Sequence, residues 1–249
     1  VAGRSAVCRI PLLLVFVALD GFWANTSAAI PIRVVTIGDS ITLGSSSAPE
    51  GPGWVELLAE RFSATHDFIN VAKGGSSSLD WTGLNGGPNY FDIFALPELP
   101  ADLVMIMLGT IDASGYGEIG PVSVEQYRTA LELLVARSLL AGANEVVLTG
   151  PPPVWWLGPG AVRIFEFQGV VAEICSATAH VRCGPDVYGL LDVETDFAFE
   201  DVHPNAAGHE KIAAAFAEYV PEPSTATLLG GGLLAIGLCR RRARGGRIR

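Results

Sequence analysis

The sequence predicts an α/β fold, with helices covering both faces of a mostly parallel sheet, and three observations carry that expectation. Short apolar runs alternate with longer helical patterns along most of the chain. The runs are nearly continuous Val, Ile, Leu and Met rather than alternating with polar residues, which marks strands buried on both faces. A length of 249 residues leaves room for one such domain plus short processing segments.

Taken in order, Arg4 and Arg9 precede an apolar run at 10–18, followed by small residues at 26–29. A basic flank, a short apolar core and a small-residue cleavage site together read as a secretory signal peptide over 1–28. A domain is expected over 29–219. Its strands fall at 32–37, 67–71, 103–108 and 145–148, and its helices at 54–62, 124–140 and 162–177. A last helix at 206–219 closes it. Only the Gly- and Ser-rich loops at 45–47 and 74–78 are of low complexity, and there is no internal repeat.

The remaining 220–249 begins Val220-Pro221-Glu222-Pro223-Ser224, continues as an apolar stretch and ends with Arg240, Arg241, Arg242, Arg244, Arg247 and Arg249. That order resembles a PEP-CTERM sorting tail. The stretch 225–239 is shorter than the ~20 residues a spanning helix needs, so it spans only with help from its flanks or a thinned bilayer. The basic end is expected to stay cytoplasmic while the domain lies outside. The resemblance implies transient anchoring in the membrane and recognition by an exosortase-like protease. Release, or transfer to the cell surface, then follows.

Setting the two ends aside leaves 8 basic residues of the 16 in the chain against 24 of the 26 acids, a net charge near −16. Phosphate contacts need clustered Lys and Arg, so nucleic acid is excluded as a partner and anionic polymers are poor substrates. Two of the four cysteines, Cys175 and Cys183, belong to the domain. An exported protein meets an oxidising compartment, where these two either pair or stay as buried thiols.

In an open parallel sheet, ligands gather at the carboxyl ends of the strands. Directly after the first strand stands Gly38-Asp39-Ser40-Ile41-Thr42-Leu43-Gly44. Glycine permits a tight turn, and the Ser40 hydroxyl is then presented where a following helix points N–H groups. A serine there is either a capping residue or a nucleophile, and it needs a base to be the second. The candidate base is His203, held before Pro204 on a constrained loop with Glu200 and Asp201 nearby to orient the ring. His66, His180 and His209 lack such a setting and are expected at the surface or at helix caps. The ligand-type residues do not cluster as a metal site requires.

Together these segments resemble the GDSL/SGNH hydrolase family from about residue 32 to 219. The resemblance implies a three-layer α/β/α sandwich with a flavodoxin-like, mostly parallel sheet. Gly38-Asp39-Ser40-Ile41-Thr42 matches the first family block. Asn70-Val71-Ala72-Lys73-Gly74-Gly75-Ser76 matches the second, with Gly75 where a backbone N–H joins Ser40 in the oxyanion hole and Ala72 where glycine is frequent.

Two departures matter. The third block normally reads Gly-x-Asn-Asp but here is Gly109-Thr110-Ile111-Asp112, so Ile111 occupies the position of the side-chain donor. Loss of one such donor costs ~10²- to 10³-fold in rate. The acid normally stands three residues before the histidine, which is Glu200; Asp201, two before, competes with it, and Glu200 is slightly favoured.

The resemblance implies an exported serine hydrolase that cleaves a small ester or acylated glycan through an acyl-enzyme and needs no metal or organic cofactor. The alternative is a decayed hydrolase that binds glycan or serves the extracellular matrix. Trp155 and Trp156, after Pro151-Pro152-Pro153, either line the substrate cleft or pack beneath the loop. Trp81 and the loop 83–89 are similar candidates.

Overall fold

The computed structural model describes residues 30–46, 48–114, 121–154 and 159–223. The expected leader at 1–28, the tail from 224 on and the pair Trp155 and Trp156 lie outside the described residues. The elements in chain order are β1 (Ile32–Gly38), α1 (Ser40–Leu43), α2 (Trp54–Arg61), β2 (His66–Asn70), α3 (Ser78–Thr82), β3 (Ala101–Met107), α4 (Thr110–Ser114), α5 (Val124–Leu140), β4 (Ala143–Thr149), α6 (Pro159–Ala177), β5 (Val181–Cys183), α7 (Val187–Leu190) and α8 (Ala206–Phe216). The strands form one sheet in the order β2-β1-β3-β4-β5, and every pairing is parallel. Among the described residues no helix is long and apolar enough to cross a membrane.

Side chains alternate across the pleat, so each central strand feeds two cores. Val35, Ile37, Val104, Ile106, Val146 and Leu148 face one layer, where Leu131 and Leu134 of α5 and Phe167 and Val170 of α6 cover them. Val34, Leu103, Met105, Met107 and Val147 face the other, under Trp54 and Leu58 of α2 and Ile212 and Phe216 of α8. Each layer has an aromatic stack. Tyr127 lies 3.8 Å from Phe167 on the first side, and Trp54 lies 4.3 Å from Phe216 on the second. The second stack joins α8 to α2, which sets where the chain preceding α8 can reach.

The parallel sheet and its flanking helices are as the sequence leads one to expect, and the differences have local causes. β5 escapes sequence reading because it is a three-residue edge strand in which only Val181 is buried. The helix expected to run to 219 ends as an α-helix at Phe216 and tightens into a 3₁₀ turn over Ala217–Tyr219.

Candidate active site

Ser40 is the first residue of α1, immediately beyond the end of β1. The turn between them is tight: a Cβ on Gly38 would sit 2.1 Å from Thr42 Oγ1 and 2.8 Å from the Met107 carbonyl, so only glycine fits. Asp39 caps the helix, its Oδ1 accepting from the Ile41 N–H at 3.0 Å. Gly44, at φ 105, ends it after a single turn. The Ser40 hydroxyl is thereby held at the carboxyl edge of the sheet.

His203 precedes α8 in a loop that is tied down at several points. Asn205 caps α8 through Gly208 N–H at 3.1 Å and donates from Nδ2 to the Thr195 carbonyl at 2.9 Å. Pro204 bridges to Phe197, and the Asn205 N–H donates to the Asp196 carbonyl at 2.7 Å. Lys211 Nζ meets both oxygens of the buried Asp196 carboxylate at 2.7 Å. One turn into α8, His209 is fully buried. Its Nδ1 accepts from the Trp54 N–H at 3.3 Å and its Nε2–H donates to the Ser45 carbonyl at 3.0 Å, and burial pushes its pKa down. His209 therefore clamps the start of α2 and the loop after α1 to α8.

The consequence is a chain of contacts at the sheet edge. His203 Nε2 is 2.9 Å from Ser40 Oγ, and His203 Nδ1 is 3.0 Å from Asp201 Oδ1. A carboxylate can only accept, so the ring proton sits on Nδ1 and Nε2 is left to accept from the serine hydroxyl. Asp201 Oδ1 also accepts from the His203 N–H at 2.9 Å, fixing ring and backbone together.

Glu200, the slightly favoured partner from its spacing, is not the residue beside the ring. It is exposed and takes a left-handed φ of 57 in the turn just before Asp201. That turn breaks the extended path on which a count of three residues relies, and the residue two before the histidine meets Nδ1.

The second block wraps the other side of Ser40. Asn70 Nδ2 donates to the Thr42 carbonyl at 2.8 Å, and its Oδ1 accepts from the Ala72 N–H at 3.2 Å. Ser76 Oγ donates to the Lys73 carbonyl at 2.8 Å and accepts from Trp81 Nε1 at 2.9 Å. A Cβ on Gly74 would lie 3.9 Å from Ser40 Cβ, whereas one on Gly75, at φ 74, would meet nothing within 4 Å. The Gly74-Gly75 backbone thus runs beside the serine and opens onto free space. Trp81 is fully buried and serves as a brace for Ser76, not as a cleft lining.

Ile111 is the second residue of α4, half-buried, with no polar atom to offer. Its neighbour Asp112 is fully buried and accepts from Ser78 N–H at 3.0 Å and Ser78 Oγ at 2.5 Å, joining α4 to α3. Asp39 lies close enough to Asp112 to feel its charge. Burial first, then the Asp112 charge, raises Asp39 to about 7, and burial raises Asp112 to about 6. Sequence reasoning treated both as motif residues only, since nothing in a motif signals that two carboxyls will be enclosed together.

Of the other histidines, His66 departs from the expected surface or capping place. It is buried between Thr65 Oγ1 and the Pro221 carbonyl, both at 2.8 Å, whereas His209 caps α2 as expected, though from inside the core. Only His180 is exposed.

Comparison with known proteins adds the following. A family model described as the GDSL-like lipase/acylhydrolase family matches residues 36–211, and a PEP-CTERM protein-sorting motif matches 220–242. A multidomain esterase of Ruminococcus flavefaciens is 22% identical over 78% of this chain, which spans only 29% of that protein's length. A lipase/acylhydrolase from Enterococcus faecalis superposes with a TM-score of 0.58 at 24% identity, covering 78% of this chain and 100% of that one. An acetyl xylan esterase from Geobacillus stearothermophilus gives 0.56 at 21%, covering 78% and 99%. The sorting motif marks a chain that is exported and processed at its C-terminus.

Proposed function

Since the chain belongs to the GDSL-like lipase/acylhydrolase family, we propose that it is an exported carboxylic-ester hydrolase working through Ser40, His203 and Asp201. The observation that carries this reading is the 2.9 Å contact between Ser40 Oγ and His203 Nε2, backed by Asp201 on the far ring nitrogen at 3.0 Å.

Ser40 Oγ attacks the ester carbonyl while His203 Nε2 takes the hydroxyl proton. Asp201 holds the tautomer and stabilises the imidazolium without itself being protonated. The tetrahedral oxyanion is met by the backbone N–H groups of Ser40 and Gly75. His203 then returns the proton to the departing alcohol, leaving an acyl group on Ser40. A water deprotonated by the same imidazole releases the acid. The hole lacks the donor expected at Ile111, so turnover is slower by ~10²- to 10³-fold than with a full set. No step calls on a metal or organic cofactor.

The substrate we assign is a short acyl or acetyl ester, carried on a small molecule or on a glycan outside the cell. Relatives named for acetyl xylan esterase activity support this choice, as does the strongly acidic domain, which disfavours anionic polymers. Trp155 and Trp156 are assigned to the cleft on their place after β4. Before processing, the tail holds the protein in the membrane for an exosortase-like protease, after which the domain is free or surface-bound.

Ile111 favours a second reading, a hydrolase that has lost turnover and retains glycan binding. A fluorophosphonate probe applied to the folded full chain separates the two. Labelling that vanishes in Ser40→Ala supports the enzyme, and an unlabelled wild-type protein refutes it.

A further inference from the structure

Cys175 lies near the end of α6 and Cys183 ends the edge strand β5; neither takes part in the chemistry at Ser40. Both converge on one point of β4. Cys183 is the cross-strand partner of Leu148, and the next residue, Gly184, donates its N–H to the Leu148 carbonyl at 2.8 Å. Cys175 Sγ reaches that same carbonyl oxygen at 4.0 Å from the helix side. The two side chains are near enough for the Cys183 thiol to add to burial in raising Cys175. Two cysteines that converge on one carbonyl from a helix and a neighbouring strand are placed for side-chain rotation to bring their sulfurs to the ~2.05 Å of a disulfide. The sorting motif independently sends the domain out of the cytoplasm, where disulfides persist.

We propose that Cys175 and Cys183 are joined by a disulfide in the exported protein, riveting α6 to β5. The oxidant is a disulfide donor of the outer compartment, whether an oxidised dithiol protein or an oxidised small thiol. Exposed Cys183 meets it first: its thiolate attacks one donor sulfur, forms a mixed disulfide and expels the other as a thiolate. Cys175, a half-buried thiol that burial pushes up to about 12, then gives up its proton and attacks the Cys183 sulfur. The donor leaves reduced, as a dithiol protein or as two molecules of the small thiol, carrying the two electrons and the two hydrogens that the protein loses. The bridge supplies what β5 lacks, since a three-residue edge strand has few ladder bonds of its own. It also fixes one wall of the cavity of about 260 Å³ lined by Phe165, Gln168, Cys183, Gly184, Asp186 and Tyr188.

The test uses the full chain, exported by a bacterium with an oxidising periplasm and alkylated in intact cells before lysis. Trypsin cuts after Arg182, so Cys175 and Cys183 fall on separate peptides, 164–182 and 183–211. The expected result is one linked pair of peptides, about 2 Da lighter than their sum and carrying no alkyl label, which separates after reduction. Quantitative alkylation of both cysteines, a small thiol capping Cys183, or a bridge to another chain each overturns the proposal. Closing so short a loop is expected to raise the melting temperature by roughly 5–10 °C over the reduced protein. An unchanged melting temperature overturns the riveting role. Neither readout depends on hydrolysis at Ser40.

Discussion

Replacing Asp39 by Asn tests the enclosed pair of carboxyls behind the nucleophile. Asp39 is raised from 3.8 to about 7, so between those limits the folded state binds more protons than the unfolded chain. Its share of stability is therefore complete below about pH 4 and is lost as pH rises through 7. At 1.36 kcal/mol per unit, a rise of about three units costs about 4 kcal/mol at alkaline pH, and about 2–3 kcal/mol of that accrues between pH 5 and pH 8. Asparagine keeps an acceptor for the Ile41 N–H and cannot ionise. Asp39→Asn is accordingly expected to gain about 2–3 kcal/mol on the wild type between pH 5 and pH 8, an increase of about 1 M in urea midpoint difference. His209, whose lowered pKa makes stability rise with pH over the acid side of this range, is present in both proteins and drops out of the comparison. Urea unfolding at a series of pH values provides the measurement. If the stability curves of wild type and variant run parallel from pH 5 to pH 8, the claim that burial holds Asp39 protonated into the neutral range is wrong.

Three further outcomes follow from the geometry. Asp201→Asn is expected to lower kcat by ~10³- to 10⁴-fold on an activated ester, while Glu200→Gln changes it by less than about threefold; a larger loss in the glutamate variant would reverse the assignment. Ile111→Asn is expected to raise kcat by up to ~10²-fold with KM little changed, and an unaltered kcat would show that the hole does not need a donor there. Phe216→Ala removes half of the stack on Trp54 and is expected to cost about 3–5 kcal/mol in denaturant unfolding; a loss below about 1 kcal/mol would mean that α8 is held by other contacts.

The central strands were legible because burial on both faces leaves nothing but apolar residues, a pattern that does not depend on distant partners. β1, β3 and β4 are mostly of this kind, while β2, an edge strand, was marked by its Phe68-Ile69 pair. β5 was not, since an edge strand with exposed Arg182 and Cys183 looks like any loop. Ser40 and His203 were legible from two short motifs, whereas the acid was not. Counting three residues back from His203 assumes an extended backbone, and Glu200 instead occupies the left-handed region. The burial of His66, His209 and Trp81 was hidden for a different reason. Their partners, such as the Pro221 carbonyl, the Trp54 N–H and Ser76 Oγ, are supplied by packing that no local pattern records.

The arrangement also divides the labour between local and long-range order. Asp201 and His203 share one loop, so their contact is built by a turn and survives small shifts of the elements around it. The contact from His203 to Ser40 joins residues at opposite ends of the domain, and its length is set by how α8 sits on α2. That seat is fixed by the stack of Phe216 on Trp54, by the Ala206 N–H donating to the Pro49 carbonyl at 3.0 Å, and by His209, which accepts from the Trp54 N–H and donates to the Ser45 carbonyl. The bond to Ser45 is the most direct, because Ser45 itself donates its N–H to the Ser40 carbonyl at 2.8 Å. One buried histidine thus ties the helix that carries the proposed base to the turn that carries the proposed nucleophile. Errors in packing along α8 are therefore passed to the serine and imidazole together, while the imidazole's hold on its carboxylate stays intact.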